Sequence, residues 1–209
     1  PYGLWRDKTG PRQAAIVYSG GDDMFVVGAW DDIIGLAVDL RESFTRYSCG
    51  KLTLSAGIAL FPAHYPVAQM AHITEMLEKE AKNQPNKDSI ALFGMDKSSV
   101  SKDGKIGYRH VYCWEDFIHG VSGDKLAFLC RTLDFGDNNA MIGASGKLAA
   151  GKGLLYKLLQ LTEPSGKKDD SFNIVPLVYL LARMEPTKKP GMEEQQRCYQ
   201  EFRHTIYQW

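Results

Sequence analysis

Two β-rich runs separated by Ser-Gly-Gly-Asp-Asp constrain this chain more than any other stretch. Residues 14–18 read Ala-Ala-Ile-Val-Tyr and residues 24–30 read Met-Phe-Val-Val-Gly-Ala-Trp. β-Branched and aromatic residues suit a pleated strand, and glycines between two such runs supply the positive φ of a tight turn. A hairpin is expected, with Ser19, Gly20, Gly21, Asp22 and Asp23 at its tip. Adjacent aspartates at such a tip fit two readings. One is a solvated turn, since Gly and Asp are ordinary turn residues. The other is a divalent-cation site, because magnesium takes one or two carboxylates and leaves its other positions to water and phosphates. Phosphoryl transfer uses such ions to neutralise phosphate charge and activate the attacking hydroxyl. Glycines beside the aspartates let a phosphate approach the backbone without meeting a Cβ.

Downstream, Asp31 and Asp32 suit a helix start, where carboxylates accept free N–H groups and oppose the dipole. Ile33, Ala37, Leu40, Phe44 and Tyr47 then step by four and three, which predicts an apolar helical stripe. Alternation from Leu52 to Leu60 predicts a two-faced strand. A second helix is expected over 67–82, with Met70, Ile73, Leu77 and Ala81 as its stripe and Glu75–Lys79 and Glu78–Lys82 as i,i+4 ion pairs. Ser89 to Phe93 reads as a last strand, and the polar stretch 94–107 as a linker. Beyond it, helices are expected over 114–121, 124–133, 152–161, 173–184 and 193–209. Trp114, Phe117, Phe128, Phe202 and Trp209 fall at helical spacing, which marks core packing rather than base stacking.

Charge and cysteine content exclude several classes. Among 209 residues, 25 Lys+Arg balance 25 Asp+Glu, so no overall field draws the chain to nucleic acid or membranes. Any such contact must be local or be made by partner chains. Cys49, Cys113, Cys130 and Cys198 lie far apart and form neither a disulfide framework nor a zinc ribbon. No signal peptide or bilayer-spanning apolar run is visible, so the expected compartment is the cytoplasm. The run from Gly146 to Lys152 has the spacing of a phosphate-binding loop, but Gly153 stands where a magnesium-binding Ser or Thr is needed. It reads instead as a glycine-broken helix start.

The ordered series Ser19-Gly20-Gly21-Asp22-Asp23, helix, Ser55-Ala56-Gly57, then Ala81-Lys82 before the last strand resembles the later half of a GGDEF-type palm domain. It departs from diguanylate cyclases at Asp23, where they carry glutamate, and at Met24, which separates Asp23 from Phe25. The Gly-Gly-Asp-Asp tip followed by a helical tail with Tyr-Lys-Leu-Leu-Gln-Leu and Asn-Ile-Val-Pro-Leu-Val-Tyr-Leu-Leu-Ala-Arg resembles the large subunit of type III CRISPR effector complexes, in its Csm (type III-A) branch. The fold this implies is α+β: a ferredoxin-like palm with an antiparallel sheet, incomplete at its N-terminus, over residues 1–107, and an all-α domain over 108–209. The upstream palm strand, first palm and nuclease domain of that family are not in the sequence, which is expected to be part of a longer chain.

The resemblance implies synthesis of cyclic oligoadenylates from ATP, triggered when the complex's guide RNA pairs with target RNA. It implies two metal ions, Mg²⁺ or Mn²⁺, held by Asp22 and Asp23 as the catalytic carboxylates. Ser19, Gly20 and Gly21 would line the phosphate side, with Ser55, Lys82 and Lys87 as further nucleotide contacts. Its partners would be the other Csm subunits, guide RNA and target RNA, and no membrane. Two other readings are a GTP-using relative of diguanylate cyclases and a non-catalytic palm scaffold. The helical part carries no complete catalytic motif and is expected to serve docking.

Overall fold

The computed structural model describes residues 11–93, 110–134, 148–149, 152–162, 174–186 and 189–208. The chain divides into two compact units, 1–126 and 127–209. The first is an α+β palm. Its hairpin consists of β1 (Ala14–Gly20) and β2 (Asp23–Gly28) in antiparallel register, and α1 (Trp30–Tyr47) follows. Then come β3 (Ala56–Ile58), α2 (Val67–Lys82), a 3₁₀ turn (Pro85–Lys87), β4 (Ser89–Leu92) and β5 (Val111–Cys113). The second helix has the bounds its sequence periodicity predicts, and both of its i,i+4 ion pairs form.

Strands β3, β4 and β5 form one sheet in that order. It is mixed rather than wholly antiparallel: β3 and β4 run parallel, with α2 as their crossover, while β4 and β5 run antiparallel. On one face, Ile34 and Val38 of α1 pack against Ile58, Ile90, Leu92, Trp114, Phe117 and Ile118. On the other, Leu77 and Ala81 of α2 pack on Ala91. The sheet is therefore covered by a helix on each side, as a half-apolar sheet requires.

Several expectations shift once packing is visible. The buried apolar positions of α1 are Ile34 and Val38, with Ile33 and Ala37 at the margin, whereas Tyr47 at the end of the predicted stripe is 86% exposed. The helix turns the neighbouring column of side chains inward because the core lies to that side. The strand expected over 52–60 shortens to Ala56–Ile58, the stretch that reaches β4. Leu52 stays exposed, and the Leu54 carbonyl accepts a 2.7 Å bond from the fully buried Trp114 indole. Residues 110–126 belong to the first unit, because β5 completes its sheet, so the units divide later than residue 107. The expected linker 94–107 lies outside the described residues. In place of the helices expected over 114–121 and 124–133, the first unit ends in a wide π-type helix (Asp116–Leu126), and the second begins with α3 (Ala127–Thr132). Gly123 permits this, since a Cβ there would press on the Ile118 carbonyl oxygen at 3.0 Å.

In the second unit, α3 leads into a short strand β6 (Leu133–Asp134), which pairs in parallel with β7 (Leu148–Ala149). This two-residue ladder is a small departure from an all-α domain. Helices α4 (Lys152–Thr162), α5 (Ile174–Arg183) and α6 (Glu193–Gln208) complete it. Phe128 and Phe202 stack at 6.2 Å within a core that includes Leu177, Leu181 and Tyr199, and the Tyr199 hydroxyl donates to the Leu181 carbonyl at 3.0 Å. No helix among the described residues is long and apolar enough to cross a membrane.

A backbone constraint on the sheet face of α2 sits at Gly57. A Cβ there would sit 2.6 Å from the Glu78 amide nitrogen and closer still to the Thr74 carbonyl oxygen. Both are α2 backbone, so only glycine lets the helix lie this close to β3. Gly57→Ala is expected to destabilise the palm by about 1–3 kcal/mol, the usual cost of overpacking. A lowered denaturant midpoint at unchanged m-value would show it, and an unchanged midpoint would mean that α2 can move away freely.

Candidate functional site at the hairpin tip

The tip is a two-residue loop, Gly21–Asp22, between strands that end at Gly20 and restart at Asp23. Gly21 takes φ +64° and has open space where a Cβ would lie. Positive φ at the first loop position is what a type II′ hairpin turn demands of glycine. Asp22 therefore projects from the turn, while Asp23 opens β2 directly across from Gly20. Both aspartates are exposed, as are Ser19 and Gly21.

Cross-strand partners share a face of a hairpin. Tyr18 pairs with Phe25 and Gly20 with Asp23, so these four lie on one face, while Ser19 and Met24 pair on the other. The Tyr18 ring lies along the strand over Gly20, where a Cβ would come within 2.9 Å of the phenol oxygen. A side chain at position 20 would displace the Tyr18 ring from this placement. The ring remains 57% exposed on the face that carries Asp23. Sequence reasoning did not single out Tyr18; the two-residue spacing from Gly20 is the signal that places it there.

The base of the hairpin is fastened to α1. Asp32, only 3% exposed, accepts the Gln13 N–H at 2.9 Å, and the Ala29 N–H donates to the Gln13 carbonyl at 2.9 Å. Arg12 reaches Asp39 in an ion pair. Asp31 and Asp32 both lie in the first turn of α1, where they oppose its dipole, and the Asp32 carboxylate also accepts from Gln13. A charge-assisted bond of this kind outweighs a neutral one, so Asp32 fixes where the hairpin leaves the helix.

Lys82, at the C-terminal end of α2, enters the electrostatic field of the tip. Its pKa is raised above the ordinary 10.5 first by a hydrogen bond to Glu78, with desolvation opposing and the charges of Asp23 and Asp22 adding to the rise. The Glu78 contact measures 2.6 Å. Lys82 is thus paired with Glu78, and the charges of Asp23 and Asp22 reach it only as a smaller, longer-range influence.

Lys87 and Ser55 are joined differently. Asn86 and Lys87 both adopt left-handed backbone, at φ +69° and +51°, which costs non-glycine residues energy that the surroundings must offset. The Ser55 hydroxyl donates to the Lys87 carbonyl at 2.6 Å. Asp88 is held by Arg41 at 2.6 Å, and its carbonyl accepts the Trp114 N–H at 3.2 Å. Ser55 therefore ties down the turn that presents the exposed Lys87, and its proton is committed there.

Two acidic side chains on an open glycine turn, with a lysine in their field, suit a hard cation bridging to phosphate. No group of three or more His, Cys, Asp or Glu gathers as a metal cluster among the described residues. A carboxylate pair is nonetheless enough where phosphates and water fill the remaining positions.

Fold and site together define a palm-type domain with a Gly-Gly-Asp-Asp tip, followed by a helical domain. Residues 6–91 match the family model of the Cas10/Cmr2 second palm domain, and residues 143–209 that of the second helical domain of the CRISPR RNA silencing complex subunit Cmr2. A Mycobacterium tuberculosis protein named CRISPR system single-strand-specific deoxyribonuclease Cas10/Csm1 (subtype III-A) is 35% identical over 204 residues, which is 97% of this chain and 21% of that protein. A protein of the same name from Enterococcus italicus is 37% identical over 169 residues, 81% of this chain and 18% of that protein. The chain belongs to the Cas10/Csm1 family of subtype III-A and spans about a fifth of the length of these relatives. Among solved structures, a Csm1–Csm4 cassette in complex with one ATP superposes with TM-score 0.59 at 28% identity, covering 90% of this chain and 26% of that one. Csm1 of T. onnurineus gives 0.58 at 27% identity, covering 91% and 24%.

Because its partner raises the Lys82 pKa, the ammonium's stabilising contribution is complete below 10.5 and is lost only as pH rises through the higher folded value. Lys82 is therefore expected to stay charged across neutral and mildly alkaline pH. Lys82→Ala should raise the KM for a triphosphate about three- to tenfold, the scale of one exposed charged contact, while Lys82→Arg should restore most of the loss. A KM insensitive to both changes would separate Lys82 from the site.

Proposed function

We propose that this chain carries a nucleotidyl-transfer site that builds cyclic oligoadenylates from ATP, within a Csm-type effector complex activated by target RNA. The observation that carries this reading is the exposed Asp22–Asp23 pair on its glycine turn, with Lys82 in the same field. Support comes from the solved relative described as a Csm1–Csm4 cassette with one ATP.

In this reading a ribose hydroxyl of one ATP attacks the α-phosphorus of the next, and the bond to the pyrophosphate leaving group breaks. Two Mg²⁺ or Mn²⁺ ions, when bound, neutralise phosphate charge and activate the hydroxyl. Asp22 and Asp23 hold those ions. Ser19, Gly20 and Gly21 let the phosphates lie close to the hairpin, and Lys82 draws negative charge toward the tip. Lys87 is placed by the turn that Ser55 fastens, so Ser55 acts through position. Tyr18 offers a flat, exposed ring beside Asp23, suited to stack on a base. Such catalysis is mostly positioning and charge neutralisation, which suits a rigid hairpin clamped at its base.

Replacing both aspartates by alanine in the full-length protein, assembled with its complex and given target RNA, is expected to reduce oligoadenylate synthesis at least 100-fold, the order seen when a principal electrostatic contributor is removed. Assembly and guide binding should persist, because exposed carboxylates on one turn bury no core. Unchanged synthesis would refute the assignment, and collapse of the assembly would make the aspartates structural. Supplying GTP in place of ATP distinguishes the cyclic-dinucleotide reading by its product.

A second variant addresses the nucleotide. Tyr18→Ala should raise the KM for ATP about fivefold or more, the scale of a lost base–aromatic stack, with Tyr18→Phe close to wild type. Equal losses in both variants would point to the hydroxyl instead of the ring.

A further inference from the structure

The second unit has an open groove between α4 and α5 that the proposed chemistry does not use. It holds about 500 Å³. Leu154, Leu161, Leu180 and Met184 line its floor, and Leu154, Leu161 and Met184 also border the core of the unit. The rim carries Lys157 and Arg183, both exposed. The Arg183 guanidinium lies 5.9 Å from the Tyr179 ring centre, and that tyrosine is 64% exposed. Residues 152–162 and 174–183 contain no Asp or Glu, so the two groove helices present cations alone.

We propose that this groove docks an amphipathic helix of a protein partner whose apolar face is flanked by Asp and Glu. An apolar floor between two helices accepts side chains spaced i, i+3/i+4 and i+7 from a third. The two rim cations select acidic flanks and reject basic ones, because like charges across an interface are strongly unfavourable. Nucleic acid fits the groove less well. A strand needs a track of cations along its phosphates, and here two cations border aliphatic side chains that would have to desolvate phosphate without returning hydrogen bonds. Tyr179 and Arg183 are residue types enriched at the energetic centres of protein interfaces. This inference is independent of the nucleotide site, so neither stands or falls with the other.

The test uses the full-length protein and a fluorescein-labelled helical peptide with Leu at i, i+3 and i+7 and Glu on both flanks, followed by anisotropy. Saturable binding is expected. Lys157→Glu with Arg183→Glu should weaken it about tenfold or more, and a peptide with Lys flanks should recover affinity for that variant alone. Tyr179→Ala should weaken both pairings. All three positions are exposed, and an unchanged circular-dichroism spectrum would confirm that the variants fold. The proposal is overturned if the peptide does not bind, or if charge reversal leaves binding unchanged. It is equally overturned if single-stranded RNA displaces the peptide and loses its own binding to the same substitutions. Self-association of the protein that the same substitutions abolish would assign the groove to a second copy and overturn it too.

Discussion

The close approach of α2 to β3 at Gly57 sets the rest of the palm. With no Cβ at that position, the helix backbone rests on the strand, and Leu77 and Ala81 seal the sheet against Ala91. The parallel pairing of β3 with β4 follows, since α2 is the crossover that returns the chain in the same direction. The end of that helix then falls where Lys82 senses Asp22 and Asp23. A packing constraint on one face of the sheet thus places a charge at the candidate site.

The hairpin depends on a different kind of contact. Polar links tie the base of β1 to α1. Asp32 supplies one through Gln13, and Arg12 supplies another through Asp39. The Arg12 guanidinium lies over Gly35, so a larger residue there would shift the arginine. Such an arrangement leaves the aspartate tip open while fixing its direction, which is what a site working by preorganised charge requires.

Where local chemistry decides the outcome, the sequence was legible. The Gly-Gly-Asp-Asp turn, the bounds of α2 and its two ion pairs follow from φ preference, periodicity and i,i+4 spacing. Of the aromatic residues read as core, Trp114, Phe117, Phe128 and Phe202 are all buried, and Trp209 lies outside the described residues. Tertiary contacts decided what was not legible. A three-residue strand such as Val111–Cys113 carries too short a pattern to register alone and exists because β4 has a free edge. The buried column of α1 differs from the predicted one by a single position, because periodicity gives a spacing but not the side on which the sheet lies. At the site, the aspartates and Lys82 were visible as residue types. The bond from Ser55 to the Lys87 carbonyl and the lie of Tyr18 over Gly20 link atoms whose proximity only folding creates.

The central claim is that Asp22 and Asp23 act on a triphosphate through divalent ions. Calorimetric titration of a non-hydrolysable ATP analogue into the full-length protein, with Mg²⁺ and then with Mg²⁺ chelated, tests this most directly. The account predicts measurable affinity with the ion and a loss of at least tenfold without it, because two unneutralised carboxylates would then face the phosphates. Equal or tighter binding in the absence of divalent ions would contradict it.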